Sequence, residues 1–181
     1  MFRRLLMLLA LVSLLGIAAC GDDDDGGGSQ GADTATEEQD TGSETATSPQ
    51  DVEEALKDTS TKPQIPKPTG SPSRKLVVED IVKGTGPAAK QGTTVIVNYV
   101  GMNFSNGREF DSSWDIGQPF PVQLGANSVI PGWEKGLLGI KAGGRRRLTI
   151  PPELGYGAEG YPPDIPPNET LVFVVDAVSV Q

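Results

Sequence analysis

The chemistry open to this chain is narrowed first by what it lacks. Its 181 residues include no histidine and a single cysteine, Cys20. Histidine is the usual carrier of protons near neutral pH, so Ser-His-Asp and Cys-His nucleophilic sites are excluded. With no imidazole and one thiol, neither a transition metal nor any other cofactor is expected. No GxxxxGK[ST] phosphate loop occurs, and Gly155-Tyr156-Gly157 opens no helix. What remains is aromatic: five Phe, three Tyr and two Trp, all but Phe2 within the last 83 residues. Aromatic side chains near loops suit an apolar ligand pocket, although an ordinary core would collect them in the same region. At the centre of the group lies the stretch 129–138, VIPGWEKGLL. Pro131 suits a first helical turn, where its missing N–H costs nothing, and Trp133 and Leu137 share one helical face. Gly132 and Gly136 each weaken such a helix by roughly 1 kcal/mol, so packing must hold it. Trp133 is then either plain core or the floor of a pocket.

The elements that could position these residues are mostly strands. Alternation over residues 93–103 puts Val95, Val97, Tyr99 and Gly101 on one face, with Ile96, Asn98, Val100 and Met102 on the other. Strands are also expected over 76–82, 109–113, 120–124, 145–150 and 171–180. Asn106-Gly107 is a two-residue hairpin signal, and 114–119 reads as loop. Residues 151–169 hold six prolines and three glycines, so a long loop without regular structure, of the kind that carries function, is expected there. Strands joined by hairpins and one short helix give an antiparallel α+β domain.

The N-terminal part is different in kind. Arg3 and Arg4 precede an apolar run from Leu5 to Ala19, which is short for a membrane span and fits a signal peptide over residues 1–19. Ile17-Ala18-Ala19-Cys20 resembles the bacterial lipobox, in which the cysteine is lipidated. Residues 21–72 carry 13 acidic and three basic side chains with few aliphatic residues. Residues 20–72 therefore read as a lipidated cysteine and a disordered acidic tether, with a mean span of about 40 Å, leaving 73–181 as the domain. Asp22–Asp25, without a calcium-loop pattern, is a solvated charge run. The domain itself is nearly neutral, with 11 acidic and 10 basic residues, so no nucleic-acid partner is expected. Its one basic cluster, Arg145-Arg146-Arg147, reads as a solvated strand edge.

Tyr99-Val100-Gly101, Phe110-Asp111-Ser112-Ser113, Val129-Ile130-Pro131-Gly132-Trp133, LTIPPELGYGAEG from Leu148 and IPPNETLVFVVD from Ile165 stand in one order and spacing. That order resembles FKBP-type peptidyl-prolyl isomerases. The resemblance implies a half-barrel sheet of five to six antiparallel strands wrapped around one short helix. It further implies that Trp133 floors the pocket, with Tyr99, Phe110, Phe120 and Phe173 as walls. Val129 and Ile130 would bond a bound peptide through their backbone. Asp111 would pair with Tyr99, and the Tyr156 hydroxyl would bond the substrate carbonyl, making Asp111, Tyr99 and Tyr156 the catalytic set. This chain has Val122 where some members have a second phenylalanine, Ile116 where some have an arginine, and Tyr161 where histidine is frequent. The implied activity is X-Pro isomerisation in exported proteins by a monomer held to the bacterial membrane through lipid on Cys20. Macrolide inhibitors of the family are further ligands to be expected. A peptide-binding or chaperone module on the same fold, without turnover, is the alternative.

Overall fold

The structure, a computed structural model, describes residues 49–181. The signal segment, Cys20 and the first part of the acidic stretch lie outside the described residues. In chain order the elements are α1 (Pro49–Ala55), β1 (Val77–Val82), β2 (Thr94–Asn103), β3 (Glu109–Ser112), α2 (Ser113–Ile116), β4 (Phe120–Gln123), α3 (Pro131–Gly136), β5 (Arg145–Ile150) and β6 (Leu171–Val180). The six strands form one antiparallel sheet in the order β1-β5-β6-β2-β3, with β4 also paired to β2. β3 and β4 lie on the same side of β2, β3 against Val100–Met102 and β4 against Thr94–Val97. One long edge strand is thus interrupted, and α2 sits in the gap.

Alternation decides what each strand buries. Val95, Val97 and Tyr99 of β2, Leu148 and Ile150 of β5, and Leu171, Phe173, Val175 and Ala177 of β6 form the core with Trp133 and Leu137. Glycine lets α3 approach this closely. A methyl group added at Gly132 would overlap Ile150, and one at Gly136 would come within 2.8 Å of Leu148. Close contact with the sheet, rather than helix propensity, determines the sequence of α3. The half-barrel around one short helix is as expected; α1 and α2 are additional turns, and α2 begins at Ser113, the last residue of an expected strand, and continues to Ile116, where only loop was anticipated. The 151–169 segment likewise contains one 3-10 turn, Pro152–Leu154, and a bridge between Tyr161 and Ile165.

Two expectations need correction. Residues 49–72, read as disordered tether, run as a strap over the outer face of the sheet. Leu56 and Pro63 are buried there, Glu53 pairs with Arg147, and Lys62 reaches both Glu109 and Asp115 at 2.8 Å. The arginine cluster is not a solvated edge, because β5 lies between β1 and β6. Arg145 is 0 % exposed. Its guanidinium meets the Asp176 carboxylate, and it donates to the carbonyls of Leu56 (3.0 Å), Asp58 (2.9 Å) and Thr61 (2.9 Å). A charge buried so deeply is tolerated only when its donors are met, and the strap meets three of them. Arg146 points the other way, donating to the carbonyls of Gly136 (2.7 Å) and Leu138 (2.8 Å) at the end of α3. There a cation satisfies otherwise orphaned carbonyls and complements the helix dipole. Burial pushes the Asp176 carboxyl above its ordinary value, while the bonds from Arg145 pull it down.

If the strap belongs to the fold, Leu56→Ala should lower unfolding free energy by about 2 kcal/mol, the low end for a buried leucine. Urea unfolding measures this, and an unchanged midpoint would mean that the strap carries no stability.

Candidate active site

The concave side of the sheet holds a cavity of about 440 Å³. Its floor is Trp133, buried on α3 and perpendicular to two neighbours: the Tyr99 ring at 5.1 Å and the Phe173 ring at 5.2 Å, both at 86°. Edge-to-face contacts of this kind suit aromatic quadrupoles and hold the indole in one orientation. Phe110 closes one wall against Phe173 (5.6 Å, 89°), and Phe120 stands 6.2 Å from Tyr99 on the other side. These rings fit because Gly101 lies between them; a Cβ there would meet Phe173 and Phe110 at 2.6 and 2.8 Å. Val129, Ile130, Asp111 and Tyr156 also line it. All nine residues expected at the site therefore line one cavity.

The local sequence explains how each is presented. Gly125 follows β4 with φ +90°, and its N–H donates to the buried Glu134 carboxylate at 2.6 Å. That bond ties the entry loop to the first turn of α3, so Val129 and Ile130 are set by the helix they precede. Asn127 and Ser128 of the same loop also line the cavity and were not anticipated. The available signal was local: Asn127 has φ +53°, a conformation that asparagine tolerates better than most residues.

The polar groups lining the cavity belong to Tyr99, Asp111, Asn127, Ser128 and Tyr156. The Tyr99 hydroxyl donates to Asp111 Oδ2 at 2.6 Å. Tyr156 is partly exposed at the rim, where its ring lies 5.8 Å from Tyr161. Burial, then the bond to Asp111, pushes the Tyr99 hydroxyl well above the ordinary tyrosine value. Burial and the nearby Asp111 charge raise Tyr156 likewise. Among the described residues no cluster of His, Cys, Asp or Glu could hold a metal, and no helix is long and apolar enough to cross a membrane. The arrangement can hold a compact apolar ring on the indole and orient a carbonyl beside it.

A family model described as FKBP-type peptidyl-prolyl cis-trans isomerase matches residues 86–178. The chain belongs to this family. An FK506-binding protein of Streptomyces anulatus is 51 % identical over 120 residues, covering 66 % of this chain and 97 % of that protein. A probable FK506-binding protein of Corynebacterium glutamicum is 49 % identical over 118 residues, covering 65 % and 98 %. Among solved structures, FkpA from Escherichia coli is similar at 48 % identity and TM-score 0.53, covering 59 % of this chain. The chain spans about half the length of that protein, the overlap being 48 % of it. AtFKBP13 is similar at 36 % identity and TM-score 0.55, covering 59 % of this chain and 93 % of that one.

For an FKBP-type isomerase the missing histidine is no handicap. Turning a peptide bond breaks amide resonance, a barrier of about 18–20 kcal/mol, yet no covalent bond is made or cleaved. Cis and trans X-Pro forms are close in energy and exchange over tens to hundreds of seconds unaided. The twisted amide is less polar than the planar one, so a dry aromatic cavity favours it over the ground state. Both tyrosine hydroxyls keep their protons far above neutrality, since their pKa values move upward from 10.0. We therefore expect kcat/KM to vary by less than about twofold between pH about 6 and about 9. A protease-free assay that follows cis-to-trans exchange directly across that range checks this, and a bell-shaped profile would contradict it.

Proposed function

We propose that this isomerase acts on proline-containing segments of exported proteins, as a monomer held outside the cytoplasmic membrane by lipid on Cys20. Support for the location comes from the sequence of residues 1–20, with two arginines, an apolar run and Ile17-Ala18-Ala19 ahead of the cysteine. The acidic residues that follow would be repelled by anionic headgroups and so hold the domain clear of the lipid. Proteins of this family bind proline-containing peptides and macrolides, and a cavity of about 440 Å³ suits both.

In the mechanism we infer, the proline ring rests on Trp133 between Tyr99, Phe110, Phe120 and Phe173. The backbone of Val129 and Ile130 bonds the client chain, and the Tyr156 hydroxyl donates to a client carbonyl. Asp111 orients Tyr99 and lends its charge to the cavity. Orientation and desolvation together need only a few contacts that strengthen on twisting, each 1.4 kcal/mol being worth tenfold. The observation that carries this reading is the short Tyr99–Asp111 bond inside a cavity whose floor and walls are aromatic.

Purified protein should accelerate cis-to-trans exchange of a proline peptide in a coupled assay. Tyr156→Phe and Asp111→Ala should each lower kcat/KM by roughly tenfold. Exchange no faster than in buffer would leave a binding module in place of the enzyme. For the anchor, mass spectrometry of the membrane fraction should find acyl chains on Cys20, and Cys20→Ala should appear in the soluble fraction. An unmodified wild-type protein in that fraction would remove the anchor.

A further inference from the structure

One hairpin reaches both polar sides of the proline cavity. Its second strand, β3, carries Phe110 and Asp111, and the turn from β2 runs through residues 104–107, closed by the Asn103 N–H to the Arg108 carbonyl at 2.9 Å. Side chains at the ends and tip of this turn grip the 151–169 segment, which carries Tyr156. Asn103 Nδ2 donates to the Asp164 carbonyl at 2.8 Å, and Arg108 meets the Asp164 carboxylate at 2.9 Å. Glu169, itself buried, accepts the Ser105 N–H at 2.9 Å and the Ser105 hydroxyl at 2.6 Å. The held residues are tied onward to Tyr156. Tyr161 and Ile165 exchange two backbone bonds of 2.8 and 2.9 Å, and the Asn168 N–H donates to the Gly157 carbonyl at 3.1 Å. The Tyr161 ring in turn lies 5.8 Å from that of Tyr156.

These contacts differ in weight. The Arg108 and Asp164 side chains are 60 % and 41 % exposed, and an ion pair so open to water adds little. Asn103 is 0 % exposed and stands outside the cavity lining. Its Oδ1 is buried without a partner, a cost that an apolar side chain at the same place would avoid. What the amide gains there is the bond from Nδ2 to the Asp164 main chain. A group that must orient a reacting carbonyl has to be held by bonds of this kind, since small displacements cost rate.

We propose that Asn103 is a positioning residue of the isomerase: through Asp164 it holds the 161–169 segment, and with it the Tyr156 hydroxyl, in place at the cavity rim. The proposal rests on the role inferred for Tyr156, and the test separates the two. Asn103→Leu keeps the branched shape and removes the donor, and Asn103→Ala removes it where leucine is not accommodated. Hydrogen exchange at the Ile165 and Asn168 N–H groups should quicken by about tenfold or more, with the β5–β6 amides unchanged. Turnover of a proline peptide should fall by roughly fivefold in kcat, with KM nearly unchanged. In a Tyr156→Phe background the same substitution should cost less than about 1.5-fold, because the hydroxyl through which Asn103 acts is gone. Equal losses in the two backgrounds, or full activity of the Asn103 variants, would overturn the positioning role and leave Tyr156 its own. Wild-type turnover by Tyr156→Phe alone would remove the role of Tyr156, and that of Asn103 with it.

Discussion

The perpendicular contact of the Trp133 indole with Tyr99 and Phe173 is the constraint on which the rest of this fold depends. Those two rings come from β2 and β6, adjacent strands that run antiparallel with Tyr99 opposite Val175 and Gly101 opposite Phe173. For one indole to touch both, the sheet has to curve and the helix has to enter the curve. Gly132 and Gly136 permit the entry, since larger residues would strike Ile150 and Leu148. The weakness of α3 as an isolated helix and its closeness to the sheet thus share one cause. The same packing gives the cavity its aromatic floor and walls.

A second set of contacts works from the opposite side of the sheet. Val100, Met102, Val172 and Val174 point away from α3, yet all are buried. Strands apolar on both faces need cover on both faces, and residues 49–72 supply it. Asp111 stands near the meeting point of the two systems. It accepts the Tyr99 hydroxyl inside the cavity, while Glu109, two residues before it on β3, is held by Lys62 from the strap. The strap therefore braces an element that carries part of the site.

Much of this was legible in the sequence, for reasons that can be named. Val95, Val97 and Tyr99 alternate cleanly, so the inner face of β2 could be read directly. Asn106-Gly107 marked the place of the hairpin, but its loop is four residues, 104–107, closed between Asn103 and Arg108, and of the pair only Gly107 has positive φ. The residues expected to line the cavity do so, because motifs carried over by resemblance specify side chains held on a shared sheet. The strap was missed because its composition is polar and its apolar residues are few: Val52, Ala55, Leu56 and Ile65 with scattered prolines. Its signature lay elsewhere, in the second apolar face of β2 and β6 and in an arginine opposite Asp176. The turn α2 was missed because four residues are too few to show a helical period.

The way in which Arg145 holds the strap has a consequence for how far homology can see. Its strap partners are three main-chain carbonyls, those of Leu56, Asp58 and Thr61. Every amino acid carries that acceptor, so the lock does not require particular side chains at positions 58 and 61. The family model begins at residue 86, past β1, while a relative aligns over 120 residues and buried contacts in this chain begin as early as Leu56. The span of the family model and the folding unit of this protein are different lengths, and a boundary drawn at the first would cut through the second.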